Sequence, residues 1–268
     1  MGEKQLREGY TTGACATAAT KAALTALITG IPQTEANIYL PVGRWVTFSI
    51  EHCDLQASSA TAVVIKDGGD DPDATHGASI VATVSWTNKT GIELDGGEGV
   101  GRVTKPGLPV PVGEAAINPV PRKMITETAR EVLNQYEITN GVRIVISVPN
   151  GAEIAKKTLN ARLGIIGGIS ILGTRGIVVP FSPSAYRASI VRAIEVAKAT
   201  GCDHVVITTG GRSEKYAMKQ YAHLPEEAFI EMGDFVGFTL KQCKKHQMKT
   251  VSMVGMMGKF SKVAQGVM

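Results

Sequence analysis

The feature that most constrains the fold is a change of hydrophobic pattern near residue 139. Beyond this point, short apolar runs typical of buried strands alternate with longer stretches of helical pattern. The predicted strands are VRIVISV at 142–148, IVVP at 177–180, HVVITT at 204–209 and KTVSMVG at 249–255. Such alternation is typical of a parallel sheet covered by helices. It predicts a parallel α/β domain over residues 139–268, with ligands bound at the carboxyl ends of its strands.

Local signals define the helices of this second part. Ser182 is suited to cap a helix and Pro183 to occupy its first position, so we expect a helix that runs to Thr200 and stops at Gly201. Further helices are expected near 213–221 and 233–246.

Residues 1–138 differ in character and predict a β-rich α+β domain. The Ala-rich segment 13–29 is expected to be a helix capped by Thr12, and its few polar residues predict burial on most sides. Short β-rich runs follow. They are interrupted by irregular loops at 67–77 and 95–122, before a helix at 122–135. The expected fold class is therefore α/β, or α+β overall.

Composition narrows the class of function. The chain has 268 residues, 44% of them hydrophobic, which is enough for a folded core. A net charge of +4 is too mild for a dedicated nucleic-acid binder. The chain contains neither a secretory signal pattern nor an apolar run long enough to span a membrane. Its four cysteines, Cys15, Cys53, Cys202 and Cys243, form no CxxC pair and are expected to be reduced. We expect a cytoplasmic protein with a small-molecule ligand and no nucleic-acid or membrane partner. A homo-oligomer is compatible with this composition.

Two glycine-rich turns are candidates for binding a ligand through backbone N–H groups. Thr209, Gly210 and Gly211 follow a predicted strand and open a helix, a position that can hold a carboxylate or phosphate. Gly167 and Gly168 lie in an apolar segment whose small residues would let a flat ligand approach. An ordinary strand-to-helix turn explains the first equally well, and close packing between elements explains the second. Neither segment matches GxGxxG, and GMMGKFS at 255–261 fails the P-loop pattern.

The loop 67–77 holds the densest acidic cluster of the chain. Asp70, Asp71, Asp73 and His76 occur within seven positions. A substrate or catalytic role, a hard cation such as Mg²⁺, and plain turn chemistry all remain open for this loop.

Five blocks of sequence carry a family resemblance. They are REGYTTGACAT (7–17), GDDPDATHG (69–77), GGEGVGRVTKPGLPVPVGEAAINPVPR (96–122), IIGGISILGTRGIVVPFS (165–182) and ITTGGRSE (207–214). In this order they resemble the cobalt-precorrin-5B C1-methyltransferases, the CbiD family of cobalamin biosynthesis. The family continues for several dozen residues beyond the final VAQGVM, so the resemblance predicts a C-terminally truncated chain.

The resemblance implies a methyltransferase of anaerobic cobalamin biosynthesis. Its methyl donor would be S-adenosylmethionine, its substrate cobalt-precorrin-5B and its product cobalt-precorrin-6A. The cobalt would belong to the substrate, so no protein metal ligand is expected. Two alternatives stay open: a non-catalytic tetrapyrrole-binding protein, and an α/β enzyme using another nucleotide-like cofactor such as NAD(P).

Site residues follow from chemistry within these blocks. A base can accept a proton from the macrocycle, and the candidates are Asp71 and His76. Substrate carboxylates suit Arg and Lys, and the candidates in the Gly- and Pro-rich blocks are Arg102, Lys105, Arg122 and Arg175. The candidates for donor binding are Thr12 and Gly13 at a helix N-terminus, with Gly167, Gly168, Thr209, Gly210 and Gly211.

Overall fold

The protein is described here by a computed structural model that covers residues 6–266. These residues form two compact units. The first unit comprises residues 6–104 and 109–181, and the second comprises residues 105–108 and 182–266. Helices and sheets are mixed along the chain, which confirms the predicted α/β class.

The first unit is β-rich. Its elements are β1 (Gly9–Tyr10), α1 (Thr12–Thr29), β2 (Glu35–Leu40), β3 (Arg44–Ser49), β4 (His52–Leu55), β5 (Ser59–Ile65), β6 (Ser79–Thr87), β7 (Ile92–Gly96), β8 (Gly99–Val100), β9 (Arg102–Val103), α2 (Pro119–Gln135), β10 (Gly141–Ser147), α3 (Gly151–Ala155), β11 (Ile165–Ile166), β12 (Gly168–Ile169) and β13 (Ile177–Val178). The main sheet has the order β4-β5-β6-β10-β7. Strand β10 is antiparallel to β6 and parallel to β7. Smaller pairs join β2 with β3, β1 with β13, β9 with β11 and β8 with β12.

Helix α1 forms the centre of the first core. It is buried along most of its length and packs against β5, β6 and α2. Its alanines leave room for close approach of the sheet on one side and α2 on the other. The prediction of a mostly buried helix is confirmed. Its cap is Thr11 rather than Thr12, because the Thr11 side chain accepts a hydrogen bond from the Ala14 N–H at 3.2 Å. Such a cap contributes about 1 kcal/mol.

The boundary between the units falls after residue 181 rather than at 138. The predicted strand at 142–148 exists as β10, but it lies inside the first sheet between β6 and β7. The helix that follows it, α3, has only five residues and does not serve as a crossover to a further parallel strand. The sequence of a buried apolar strand followed by a short helix resembles a parallel α/β unit, and local pattern alone does not reveal which strands are neighbours.

The second unit is a small parallel α/β fold. Its elements are α4 (Pro183–Ala199), β14 (His204–Thr208), α5 (Gly211–Gln220), a 3-10 turn (Glu226–Ala228), β15 (Phe229–Glu231), α6 (Val236–Lys245), β16 (Thr250–Val254) and α7 (Met257–Ala264). All strands of its sheet are parallel, in the order β15-β14-β16. Ser182 caps α4 and Pro183 begins it, as predicted. The strand β15 and the helix α7 were not predicted.

This strand order creates a switch point at β14. The chain leaves β14 towards β15 on one side, then returns across the sheet to form β16 on the other side. Connections that diverge from one strand leave a crevice at its carboxyl end, where open α/β sheets bind ligands.

Candidate functional site

A buried lysine forms the floor of the acidic loop in the first unit. Lys66 directly follows β5 and is 1% exposed. Its backbone closes the loop by two hydrogen bonds to the loop's far end: its N–H donates to the Ala78 carbonyl and its own carbonyl accepts from the Gly77 N–H. The side chain points inward, and Nζ lies 2.7 Å from Oδ2 of Asp73. A lysine is almost never fully buried unless it is paired. The contact with Asp73 therefore allows Lys66 to be buried beneath the loop.

Asp73 is held as a charged acceptor. Its Oδ1 accepts hydrogen bonds from the N–H of Thr75 at 2.7 Å and from the Thr75 hydroxyl at 2.6 Å. Burial pushes the pKa of Asp73 upward, but the hydrogen bonds from Lys66 and Thr75 outweigh it and hold the pKa below its usual value. The Asp73 carboxyl is therefore ionised at neutral pH.

A small cavity opens beside this pair, with a volume of about 140 Å³. It is lined by Thr11, Thr12, Lys66, Asp73, Thr75, Thr158, Asn160, Ile169, Ser170, Leu172 and Val178. Pockets that enclose whole small molecules usually measure about 300–1,000 Å³. This cavity can hold one polar side chain of a larger ligand, and its lining offers hydroxyls, an ion pair and apolar side chains.

The two residues predicted at the start of the first helix have different surroundings. Thr12 lines the cavity, and its hydroxyl accepts from the Leu172 N–H at 2.9 Å. Gly13 is a packing position, because a Cβ there would lie 2.6 Å from Cγ of Pro121. Its N–H donates to the Leu172 carbonyl at 3.0 Å. The N–H expected to be free for a ligand at Gly13 is thus used within the fold.

Both residues predicted as proton acceptors lie in the acidic loop, but they brace backbone. Oδ1 of Asp71 accepts from the Phe181 N–H at 2.9 Å. Nδ1 of His76 accepts from the Gly68 N–H at 3.0 Å, and the ring is largely exposed. Asp73, rather than Asp71, faces the cavity. Within residues 6–266, no three His, Cys, Asp or Glu side chains lie close enough together to hold a metal ion.

Arg7 and Asp67 tie the N-terminal segment to the acidic loop. The Arg7 guanidinium donates to both carboxylate oxygens of Asp67. The hydrogen bonds from Arg7 and from the Gly69 N–H lower the pKa of Asp67 to about 2. Two ion pairs therefore hold the loop: the exposed pair of Arg7 with Asp67 and the buried pair of Lys66 with Asp73.

The predicted carboxylate-binding residues differ in how far they are neutralised. Arg102 donates to both oxygens of Asp95 at 3.0 Å. Arg122 pairs with Glu114 at 3.2 Å, and Lys105 pairs with Glu227. Arg175 is exposed and makes no salt bridge within residues 6–266. It lies on the segment between Leu172 and Val178, and both of these residues line the cavity. Of the four, Arg175 is best placed to meet an anion.

Gly167 and Gly168 lie in one turn of the first unit but in opposite environments. Gly167 is exposed, and a Cβ there would meet nothing within 4 Å. Gly168 belongs to β12, and a Cβ there would lie 2.1 Å from the Gly99 carbonyl oxygen of β8. Close packing fully accounts for Gly168, whereas Gly167 remains open to a ligand.

Thr209, Gly210 and Gly211 form the turn at the carboxyl end of β14 in the second unit. Gly210 precedes α5 with φ +152° and provides no side-chain cap, so the first N–H groups of α5 donate to no capping side chain. A Cβ at Gly211 would meet nothing within 4 Å. The hydroxyl of Thr209 lies 3.1 Å from that of Ser213. This turn therefore presents backbone that a ligand can approach.

Two side chains at the same edge escaped the sequence analysis. Thr208 is 0% exposed, and its hydroxyl has no hydrogen-bond partner within the described part of the chain. Glu231 ends β15, beside the turn. Buried polar groups without a partner are rare in folded proteins and often mark a place completed by a ligand or water. The missed signal was position, since both residues end strands of a parallel sheet.

Comparison with known proteins settles the family. A model of the CbiD family matches residues 1–180, which is more than half of the chain. The chain belongs to the CbiD family.

Members of the family resemble this chain far beyond the matched segment. A curated relative from Geobacillus sp. (strain WCH70), named cobalt-precorrin-5B C(1)-methyltransferase, is 82% identical over 99% of this chain and 73% of its own length. One of the same name from Salinispora tropica is 54% identical over 98% of this chain and 69% of its own length. A crystal structure of the cobalamin biosynthesis protein CbiD from Archaeoglobus fulgidus is 31% identical, with a TM-score of 0.51, and covers 97% of this chain and 80% of that one. The family predicted from the five sequence blocks is confirmed.

No helix in the described part of the chain is both long and apolar enough to cross a membrane.

Proposed function

We propose that this protein transfers a methyl group from S-adenosylmethionine to C1 of cobalt-precorrin-5B, giving cobalt-precorrin-6A, in the cytoplasm. The observation that carries the proposal is the 82% identity, over almost the whole chain, to a relative named for this reaction. The alternatives, a tetrapyrrole carrier and an NAD(P) enzyme, have no comparable support.

The second unit has features that fit the methyl donor. Donor binding is assigned to Thr209, Gly210 and Gly211, because a turn at the carboxyl end of the central parallel strand offers uncapped N–H groups. The hydroxyl of Thr208, which has no hydrogen-bond partner among residues 6–266, adds a buried polar group beside them. The donor supplies an activated methyl group on a sulfonium, so the protein mainly has to align two reactants.

The first unit has features that fit the side chains of the tetrapyrrole. The tetrapyrrole carries several carboxylates. Arg175 makes no salt bridge with the described residues and lies on the segment that borders the cavity. The cavity itself admits one acidic side chain, with Lys66 Nζ as the donor, because an ammonium carries three hydrogens and Asp73 takes one. The hydroxyls of Thr12 and Thr75 already donate, to the Leu172 carbonyl and to Asp73. Arg102, Lys105 and Arg122 would each have to leave an acidic partner first.

Proton acceptance during methyl transfer is assigned to the acidic loop. Asp71 keeps this role as a proposal through its second carboxylate oxygen. His76 keeps it through Nδ1, which would have to release the Gly68 N–H before it accepts a proton. Asp73 is assigned a structural role instead, because its carboxylate is the partner of the buried Lys66 ammonium.

The deciding experiment is a turnover assay with methyl-deuterated S-adenosylmethionine and cobalt-precorrin-5B, read by mass spectrometry of the tetrapyrrole. One labelled methyl group should appear in the product, and none should appear when the donor is omitted. Calorimetric titration with each ligand and with NAD(P) runs in parallel. Binding of the tetrapyrrole without any gain of label would favour the carrier, and binding of NAD(P) in place of the donor would favour the other enzyme.

A further inference from the structure

The carboxyl edge of the second sheet brings three strand ends to one level. Thr208 of β14 is the register partner of Glu231 in β15 and of Val254 in β16. Paired residues of parallel strands direct their side chains to the same face of the sheet. Thr208 and Glu231 therefore share one face at the point where the chain leaves the switch strand.

The turn after β14 leaves room for the Glu231 carboxylate. A Cβ at Gly210 would have Oε1 of Glu231 as its nearest neighbour, at 3.8 Å. The φ of +152° at Gly210 lies in a region that residues with a side chain rarely adopt. Glu231 is itself exposed. A ligand lying on the glycine turn would thus have backbone on one side and a carboxylate on the other.

A buried orphan hydroxyl supports a ligand at this edge independently of the turn. Thr208 is fully buried, and its hydroxyl lacks a hydrogen-bond partner within residues 6–266. A buried hydroxyl that bonds to nothing has lost its hydrogen bonds to water without replacement, which is unfavourable. Its place, one residue before the turn and in register with Glu231, is where a bound molecule or its waters would satisfy it.

The hydrogen-bond acceptors at this edge indicate the kind of ligand. Three carboxylates lie near Tyr186, those of Glu231, Asp234 and Glu214, and together with burial they raise the pKa of Tyr186 to about 12. Carboxylate oxygens accept hydrogen bonds, so they suit a ligand that carries hydroxyl donors. S-Adenosylmethionine has such donors in the diol of its ribose.

We propose that the carboxylate of Glu231 accepts hydrogen bonds from the ribose hydroxyls of the methyl donor, bound at the carboxyl end of β14. Glu231 stands twenty positions after Gly211. An acidic residue at about this distance after a glycine turn binds ribose hydroxyls in doubly wound nucleotide-binding folds. The inference rests on the proposed function, because it requires a donor that carries a ribose.

The test varies the ligand as well as the protein. The probes are S-adenosylhomocysteine and its 2′-deoxy and 3′-deoxy analogues, titrated by calorimetry into the unmodified protein and into Glu231→Gln. Hydrogen bonds to a charged acceptor are worth enough to give at least tenfold weaker binding of one or both deoxy analogues to the unmodified protein. Glu231→Gln should bind S-adenosylhomocysteine at least tenfold more weakly and lose most of this discrimination.

Asp203→Asn is the matched control. It removes one carboxylate from the opposite, amino end of β14, where Asp203 pairs with Lys249 at 2.6 Å. This variant should keep both the affinity and the discrimination. Equal binding of all three probes to the unmodified protein would overturn the assignment, as would full discrimination in Glu231→Gln. If labelled methyl is still transferred in either case, the proposed function stands and only the role of Glu231 fails. If neither donor binding nor methyl transfer is found, both proposals fall together.

Discussion

The two units solve the problem of buried polar groups in opposite ways. In the first, the pocket is complete without a ligand: Lys66 is paired with Asp73, Asp73 is further bonded to Thr75, and the Gly13 N–H is used by Leu172. In the second, Thr208 is buried with no partner within the described residues, and α5 begins without a side-chain cap. A satisfied network is rigid before binding, whereas an unsatisfied edge gains stability when a ligand arrives. We therefore expect changes in the first unit to act mainly on folding, and changes at the edge of the second to act mainly on binding.

The largest expected effect contrasts two glycines from the predicted donor-binding set. Gly168→Ala should destabilise the first unit by about 3 kcal/mol or more, because its Cβ would lie 2.1 Å from a main-chain oxygen that cannot move freely. Gly211→Ala should leave stability nearly unchanged, since its Cβ enters open space. Urea unfolding followed by circular dichroism measures both.

Thiol labelling reports on the same contrast. Cys15 is buried in α1, and burial raises the pKa of its thiol to about 12, so it should react only when the first unit opens. Faster labelling of Cys15 in Gly168→Ala, with no change in Gly211→Ala, is expected. A Gly168→Ala protein of normal stability that fails to bind the donor would reverse the assignment of that glycine to packing.

The next effect concerns the buried ion pair. Asp73→Asn leaves the Lys66 ammonium buried without its counter-charge and should cost about 3 kcal/mol of unfolding free energy. Glu153→Gln removes a carboxylate from an exposed pair with Lys156 and should change stability by less than about 0.5 kcal/mol. Differential scanning calorimetry of both variants compares the two. Similar melting temperatures of the two variants would mean that the fold does not depend on the Lys66–Asp73 pair. The expected contrast between the two units would then fail.

A smaller effect is expected in acid. Asp67 and Asp73 both have pKa values below their usual range in the folded protein, at about 2 for Asp67. Groups of this kind stabilise the fold fully above their unfolded pKa near 4, and the contribution is lost as the pH falls through the folded value. The first unit should lose stability between about pH 4 and pH 2.

Asp67→Asn is the variant for this acid prediction. It should already be less stable at neutral pH and should lose less stability on acidification than the unmodified protein. The measurement is urea unfolding at a series of pH values. If the unfolding free energy of Asp67→Asn depends on pH as that of the unmodified protein does, Asp67 does not contribute to the loss of stability in acid.

The smallest effect should appear in substrate binding alone. Arg175→Ala is expected to weaken tetrapyrrole binding by about tenfold, the equivalent of one charge-assisted hydrogen bond, with donor binding unchanged. Arg122→Ala should also weaken tetrapyrrole binding more than donor binding, but less than Arg175→Ala does, because Arg122 already pairs with Glu114. Calorimetric titration of each variant with each ligand decides the order. Equal losses for both ligands would remove these arginines from the substrate site.

Long periodic elements were the part of the fold that sequence could predict. The Ala-rich pattern of α1, the cap and proline at the start of α4, and the apolar run of β14 each specify their element locally. The pairing of β10 was beyond such signals, because a buried strand looks the same beside a parallel or an antiparallel neighbour. Strand β15 was missed since three residues carry no period.

For the candidate site, sequence indicated blocks but not the surroundings of single residues. The acidic loop and the turn after β14 stand out by composition, and their functional roles stay predictions. Lys66 was overlooked because a lysine at the end of an apolar run normally marks the return of the chain to solvent. Only the fold reveals that this one turns inward to an aspartate seven positions later. The choice between packing and binding at Gly168 likewise depended on a neighbour, Gly99, far away in sequence.

The pairing of β1 with β13 has a consequence for the order of assembly. Gly9 and Tyr10 can find Val178 and Ile177 only after nearly the whole first unit has been synthesised. Contacts between such distant residues close last, since a long loop must lose its freedom before they form. Because Thr11 follows β1 directly and Val178 ends β13, and both line the cavity, its wall is finished by this late step. A growing chain on the ribosome would therefore carry a buried α1 and a nearly complete sheet well before it could recognise any ligand at that cavity.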